Sequence, residues 1–361
     1  MNKLKIVAAG AIIGILAAAL VKFGNPLNMG LCVACFLRDT AGALGLHQAS
    51  TVQYIRPEII GFILGAFVIA FGTKEFKARG GSSPLIRLVI GFFVMIGALV
   101  FLGCPLRMIL RLANGDLNAL TGLLGFIAGI IIGIQFLKSG FSLGRSYGQS
   151  NLNGYIMPVI ALILLFFVVI HPSFINFSQK GPGAAHAPLL ISLLVGLIVG
   201  VVAQRSRFCT VGGIRDAFLI KDFHLLSGLI GIFVFAMIGN LIFNPSLIKI
   251  GFIGQPIAHT DFLWNFLGMT LTGLGSVLLG GCPFRQTILA SEGDSDAAFT
   301  ILGLFAGAAF AHNFGLAASP KGVSLSGQVA VIIGLVVVLT IALFVTWQNI
   351  NASRKVGVPV E

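Results

Sequence analysis

A chain of 361 residues that is 57% hydrophobic, only 9% charged and rich in glycine, with 47, carries too little charge for a soluble domain of its length. It reads as an integral membrane protein of helical type. The formal net charge of +12 does not indicate nucleic acid, because the 23 Lys and Arg are scattered between apolar runs and build no basic domain; basic residues gathered in cytoplasmic loops account for them.

Segments long enough to cross a bilayer fall at 4–21, 57–72, 86–103, 117–137, 154–171, 188–203, 225–243, 263–280, 297–312 and 326–347. The first follows Asn2-Lys3-Leu4-Lys5 and has two readings, a retained helix or a cleaved leader with Ala17-Ala18-Ala19 as its small-residue site. An internal repeat, described below, gives it a counterpart and favours the retained helix. Lys74, Lys77, Arg79 and Arg87 mark one loop, Lys138 and Arg145 another, and Ser353-Arg354-Lys355 the tail. Placing these with Lys3 and Lys5 in the cytoplasm gives ten alternating spans with both termini inside and the Pro172 to Pro188 loop outside.

Cys32 is followed six and seven residues on by Arg38-Asp39, and Cys209 at the same distances by Arg215-Asp216. Cys104-Pro105-Leu106-Arg107 matches Cys282-Pro283-Phe284-Arg285, and Thr121, Gly125 and Gly129 match Thr300, Gly303 and Gly307. All of these pairs are separated by 177 to 179 residues, a register that marks duplication. Residues 1–150 are expected to form the first transmembrane repeat with a linker, 151–187 the fifth span and an external loop, and 188–361 the second repeat. Five spans per half is odd, so the halves enter the membrane with opposite sense, a construction that places a transport path between broken helices. The expected fold class is therefore all-α, a polytopic membrane protein of about ten spans as two inverted five-span repeats with re-entrant or broken helices.

Gly103-Cys104-Pro105 and Gly281-Cys282-Pro283 each interrupt an apolar helix, because Gly weakens it and Pro removes a donor. Proline favours the first helical position, so each cysteine is expected to cap a short helix, Pro105 to about Ala113 and Pro283 to about Ser291. A helix N-terminus attracts anions, and Arg107 or Arg285 adds charge three residues on. The bland reading of either motif is a structural kink with an inert cysteine; two copies in opposite halves weigh against it. The segments around Cys32 and Cys209 are too short to span and are expected to be re-entrant, with Arg38-Asp39 and Arg215-Asp216 ion-paired, in the vestibule, or simply solvated. Cys32-Val33-Ala34-Cys35 also fits the C-x-x-C redox or metal spacing, without a second copy, since Cys35 aligns with Gly212.

On the paired Gly-Cys-Pro-x-Arg blocks at 103–107 and 281–285, "RSRFC" at 205–209 and "GGIRDAF" at 212–218, the chain resembles the sulfur-transport membrane family that carries the bacterial names YeeE and YedE. The resemblance implies passage of thiosulfate along a narrow path handled by Cys104, Cys282 and Cys32, with Cys209 as repeat mate. The "NMGLCVACFLRD" opening and the overall length are similar to the YedE branch associated with selenium metabolism. That branch implies a small inorganic sulfur or selenium anion as substrate, a bacterial inner-membrane location and a soluble TusA-like sulfurtransferase partner. No cofactor, metal or catalytic role is expected. The competing expectation is a membrane sulfur or selenium transferase, or a thiol-redox protein, built on the same cysteines.

Overall fold

The structure, a computed structural model, describes residues 3–356; Asn2 and the side chains of Arg354 and Lys355, used above for the leader and the tail, lie outside the described residues. In chain order the first half contains α1 (Lys3–Lys22), α2 (Val33–Ala43), α3 (Pro57–Gly72), β1 (Arg79–Gly80), α4 (Pro84–Val100), α5 (Pro105–Ala113), α6 (Asn118–Lys138), β2 (Tyr147–Gly148) and α7 (Asn151–Ile170). The second half contains α8 (Leu189–Ser206), α9 (Thr210–Leu219), α10 (His224–Phe243), α11 (Phe262–Leu278), α12 (Pro283–Ser291), α13 (Ser295–Asn313) and α14 (Leu325–Val356). The two short strands pair antiparallel.

The protein is thus an all-α polytopic membrane protein. Among the described residues nine helical stretches are long and apolar enough to cross a bilayer, three of them being the broken pairs α4–α5, α8–α9 and α11–α12. The tenth expected span, α3, has 16 residues and is about 24 Å long at 1.5 Å per residue, shorter than the hydrocarbon core. Proline opens α3, α4, α5 and α12, where its missing N–H has no helical partner to lose.

The repeat is visible in the packing. α1 packs along α10 and α3 along α8; α4 packs along α13 and α6 along α11. Exchanging each helix for its repeat mate turns one contact of each couple into the other, as a two-fold relation between the halves demands. The halves are consequently interleaved, since the most extensive partner of each of these helices belongs to the other half. α1 is a full member of this arrangement, its Gly10 and Gly14 pressed on the α10 backbone at Gly228 and Ile232.

The repeated glycines serve these crossings. Gly125 and Gly129 of α6 lie against the backbone oxygens of Phe266 and Thr270 of α11, and Gly303 and Gly307 of α13 against those of Leu88 and Phe92 of α4. Without a hydrophobic drive between helices in lipid, close backbone approach over small residues supplies the packing. The fifth helices depart from the symmetry: α7 packs on α3, α12 and α13, whereas α14 packs chiefly on α4 and α11.

Candidate functional site

Four short helices converge on buried cysteines. α4 stops at Leu102, whose φ is 64°, and α11 at Gly280, whose φ is 79°. Gly103 N–H then reaches back to Ala98 O at 2.7 Å and Gly281 N–H to Ser276 O at 2.9 Å, closing the two helix ends in the same way. Cys104 and Cys282 follow in extended conformation, each as the cap of a nine-residue helix that begins with its proline. The structure gives Gly103 and Gly281 a role that helix weakening did not foresee: a Cβ would lie 2.7 Å from Arg107 Cδ in one half and 3.1 Å from Arg285 Cγ in the other. These glycines make room for the arginine stem to fold back over the break.

The second pair is equally matched. Cys32 caps α2, its sulfur accepting from Cys35 N–H at 3.4 Å, and Cys209 caps α9, its sulfur accepting from Gly212 N–H at 3.3 Å. Each N-cap sulfur takes one of the orphan amides of a first turn. Both short helices follow a long one, α1 or α8.

The caps meet in twos. Cys32 and Cys104 lie beside one another, and Cys209 Sγ lies 4.0 Å from Cys282 Sγ. Each half therefore assembles one sulfur pair from two helix N-termini, with all cysteines unbridged and buried. Cys35, which has no mate, adds a third sulfur to the first pair, 2.9 Å from Cys32 Sγ. A run of rings joins the two pairs: Phe36 of α2 to Phe62 at 6.1 Å, Phe62 to Phe284 at 5.5 Å, and Phe284 to Phe208 beside Cys209 at 6.4 Å.

The charges around the two pairs differ. Arg107 is fully buried, with no carboxylate partner among the described residues; Nε donates to Asn28 O at 2.7 Å, Nη2 to Ile257 O at 3.3 Å, and Nη1 to Leu102 O and, at 3.4 Å, to Cys35 Sγ. Spacing alone had directed this guanidinium toward its own Cys104. Arg285 instead pairs with Glu292 at 3.3 Å, and Glu292 also receives Arg207 at 3.0 Å, which continues to Glu75 and Arg205 at the surface. Net positive charge therefore remains at the first pair and is shared with a carboxylate at the second.

The two Arg-Asp motifs also part company. Arg38–Asp39 is a buried ion pair at 2.6 Å, and Arg56 joins Asp39 at 2.8 Å while its other nitrogens cap Ala185 O and Pro182 O of the loop after α7. Arg215–Asp216, at 2.7 Å, keeps 28% and 17% of its side-chain surface exposed. Sequence reading missed Arg56, which stands outside any repeated block, and missed Glu58. That carboxylate is fully buried at the start of α3, bonded to Asn25 Nδ2 at 2.6 Å and to Ser192 Oγ at 3.3 Å. The burial of Glu58 shows only when α8 is laid against α3.

Residues 205–356 match the family model described as sulphur transport, which bears out the resemblance across the segment containing Cys209, Arg215, Gly281, Cys282, Pro283 and Arg285. Two curated relatives, both called thiosulfate transporter TsuA, are similar over shorter stretches. The one from Spirochaeta thermophila is 34% identical over 110 residues, 30% of this chain and 32% of that protein. The one from Escherichia coli strain K12 is 31% identical over 105 residues, 29% of each chain. The chain thus spans about a third of the length of the curated relatives it matches.

Proposed function

We propose that this protein carries a thiosulfate-like sulfur anion, or its selenium analogue, across the bacterial inner membrane, with both termini on the cytoplasmic side, and that it does so without catalysing a reaction on it. The observation that supports this reading most directly is the pairing of buried sulfurs at opposed helix N-termini in both halves. A small dianion entering lipid depth loses its hydration, and the path must return hydrogen bonds and positive potential. Thiol S–H groups donate to a soft terminal sulfur, the first-turn amides donate to oxyanion oxygens, and the N-terminal ends of four helices together with Arg107 supply positive field.

The sulfur pairs act as successive stations. Cys32 and Cys104 form one, Cys209 and Cys282 the other, and the stronger charge at the first favours capture there. Arg285, shared with Glu292, holds the ion more weakly and so favours release. The names of the two TsuA relatives and the match of the second half support a sulfur compound as cargo. A soluble TusA-like sulfurtransferase is the expected recipient, and Arg205 and Arg207, about half exposed beside Glu75, supply basic surface for it.

Uptake of radiolabelled thiosulfate, and of selenite in parallel, into proteoliposomes tests the reading. The wild-type protein is expected to accumulate thiosulfate, and the Cys104→Ser, Cys282→Ser double variant to lose that uptake while remaining folded. Equal uptake by the variant would remove the cysteines from the path, and no uptake by folded wild-type protein would return the weight to a sulfurtransferase.

A further inference from the structure

Of the C-x-x-C at the start of α2, Cys32 belongs to the path described above and Cys35 is unused by it. Cys35 breaks the symmetry: the second half has Gly212 at its position, where only a backbone N–H faces the cap sulfur. Cys35 stands in the first turn of an eleven-residue helix capped by Cys32, so its sulfur and that of Cys32 project to the same side, 2.9 Å apart. A disulfide needs about 2.05 Å between the sulfurs, a closing movement within one turn that leaves the helix intact. Arg107 Nη1, 3.4 Å from Cys35 Sγ, sets a positive charge beside the sulfur that must carry negative charge when it attacks. The other close sulfurs, Cys32 with Cys104 and Cys209 with Cys282, belong to different helices, and joining them would drag two caps together.

We propose that Cys32 and Cys35 are a dithiol that small oxidants with a sulfur–sulfur bond, of the polythionate class, convert to a disulfide, and that this conversion closes the path by taking Cys32 away from Cys104. The inference rests on the transport reading for its consequence but not for its chemistry. With tetrathionate, deprotonated Cys32 attacks one of the two central sulfurs. A bond forms between Cys32 and that sulfur, the central sulfur–sulfur bond breaks, and one thiosulfate leaves. Deprotonated Cys35 then attacks Cys32 Sγ, forming the Cys32–Cys35 bond and expelling the second thiosulfate. Two electrons pass from the cysteines to tetrathionate and two protons go to water, so the oxidant is reduced to the anion that the path carries. A low-molecular-weight thiol reopens the disulfide by the reverse exchange. A path for thiosulfate that closes when its oxidised dimer predominates is the consequence.

The experiment uses the full chain in proteoliposomes, with wild type, Cys35→Ser and Cys35→Ala, each compared with its own untreated sample. Tetrathionate is added, the excess removed, and thiosulfate uptake measured before and after dithiothreitol. In parallel, mass spectrometry of the non-reduced digest locates any new bond. Wild type is expected to lose uptake, to regain it with dithiothreitol, and to show a peptide holding both Cys32 and Cys35 with two hydrogens lost. The Cys35 variants, which lack the resolving thiolate, are expected to stop at the Cys32 adduct and to show a Cys32 peptide heavier by one S2O3 unit in place of the peptide that has lost two hydrogens. Absence of that intrapeptide bond from treated wild type, its formation without loss of uptake, or Cys35 variants that show no Cys32 adduct would overturn the proposal. If untreated wild type takes up no thiosulfate, the transport reading fails and with it the closure, while the digest still decides whether Cys32 and Cys35 join.

Discussion

Leu102 and Gly280 hold the same left-handed backbone at matching positions of the two halves, with φ of 64° and 79°. A residue with a Cβ costs about 1 kcal/mol or more there, and the first half offsets this by van der Waals packing of the buried Leu102 side chain. Gly280 has no such return, since a Cβ on it would meet nothing within 4 Å. Gly280→Ala is therefore expected to destabilise by about 1 kcal/mol through the backbone alone. Leu102→Gly is expected to lose a similar net amount, the lost packing outweighing the relief. Thermal unfolding of the purified protein in detergent reads both, and a melting temperature raised by Gly280→Ala would show that the helix end does not need the left-handed residue.

The two arginines of the Gly-Cys-Pro-x-Arg blocks should respond differently to lysine. Arg107 holds three carbonyls and a sulfur from a planar fork that a single ammonium cannot reproduce. Each carbonyl left unpaired costs about 1–3 kcal/mol, so Arg107→Lys is expected to lose about 3 kcal/mol and most of the uptake. Arg285 makes one bond at 3.3 Å to Glu292, and lysine keeps the charge; Arg285→Lys is expected to cost about 1 kcal/mol or less. Chemical unfolding in mixed micelles checks the order, and equal losses would mean that the carbonyl set around Arg107 carries little of the stability.

The features that the sequence made legible are those that only one residue type can supply. A proline that starts a helix, a cysteine before it and a glycine at a helix crossing recur in register because the geometry recurs. What stayed hidden depends on neighbours far along the chain. Arg38-Asp39 and Arg215-Asp216 read alike, yet only the first is sealed, because Arg56 and the Pro182 and Ala185 carbonyls close over it. Arg107 turned from its own cysteine to Cys35 because the Asn28, Leu102 and Ile257 carbonyls fix its guanidinium beside α2. Nor does hydropathy tell where α7 and α14 pack, since both are apolar enough to span and yet they occupy different flanks of the molecule.

His47 and His259 lie in loops outside the spanning helices and are held by the same pair of bonds. His47 Nε2 donates to Arg38 O at 3.0 Å while Nδ1 accepts from Ala49 N–H at 3.3 Å; His259 Nε2 donates to Val100 O at 2.8 Å while Nδ1 accepts from Asp261 N–H at 3.3 Å. Both rings are therefore neutral as bonded, and protonation would set a second donor against an amide. Burial first, with the Arg38 charge added at His47 and that of Arg111 at His259, pushes both below the ordinary histidine range, against the carbonyl bonds and the carboxylates of Asp39, Asp261 and Asp116. The unfolded chain then binds protons that the folded chain resists, so stability is full above about pH 6.5 and falls as pH drops below it, until the folded pKa values are passed. Unfolding in detergent across about pH 8 to 5 is expected to show a plateau and then a decline. The His47→Gln, His259→Gln variant is expected to be less stable at the plateau, since it loses the paired bonds, but to decline less steeply. An unchanged acid limb in that variant would assign the decline to other groups and leave the two histidines as fixed braces between the loops and the carbonyls of Arg38 and Val100.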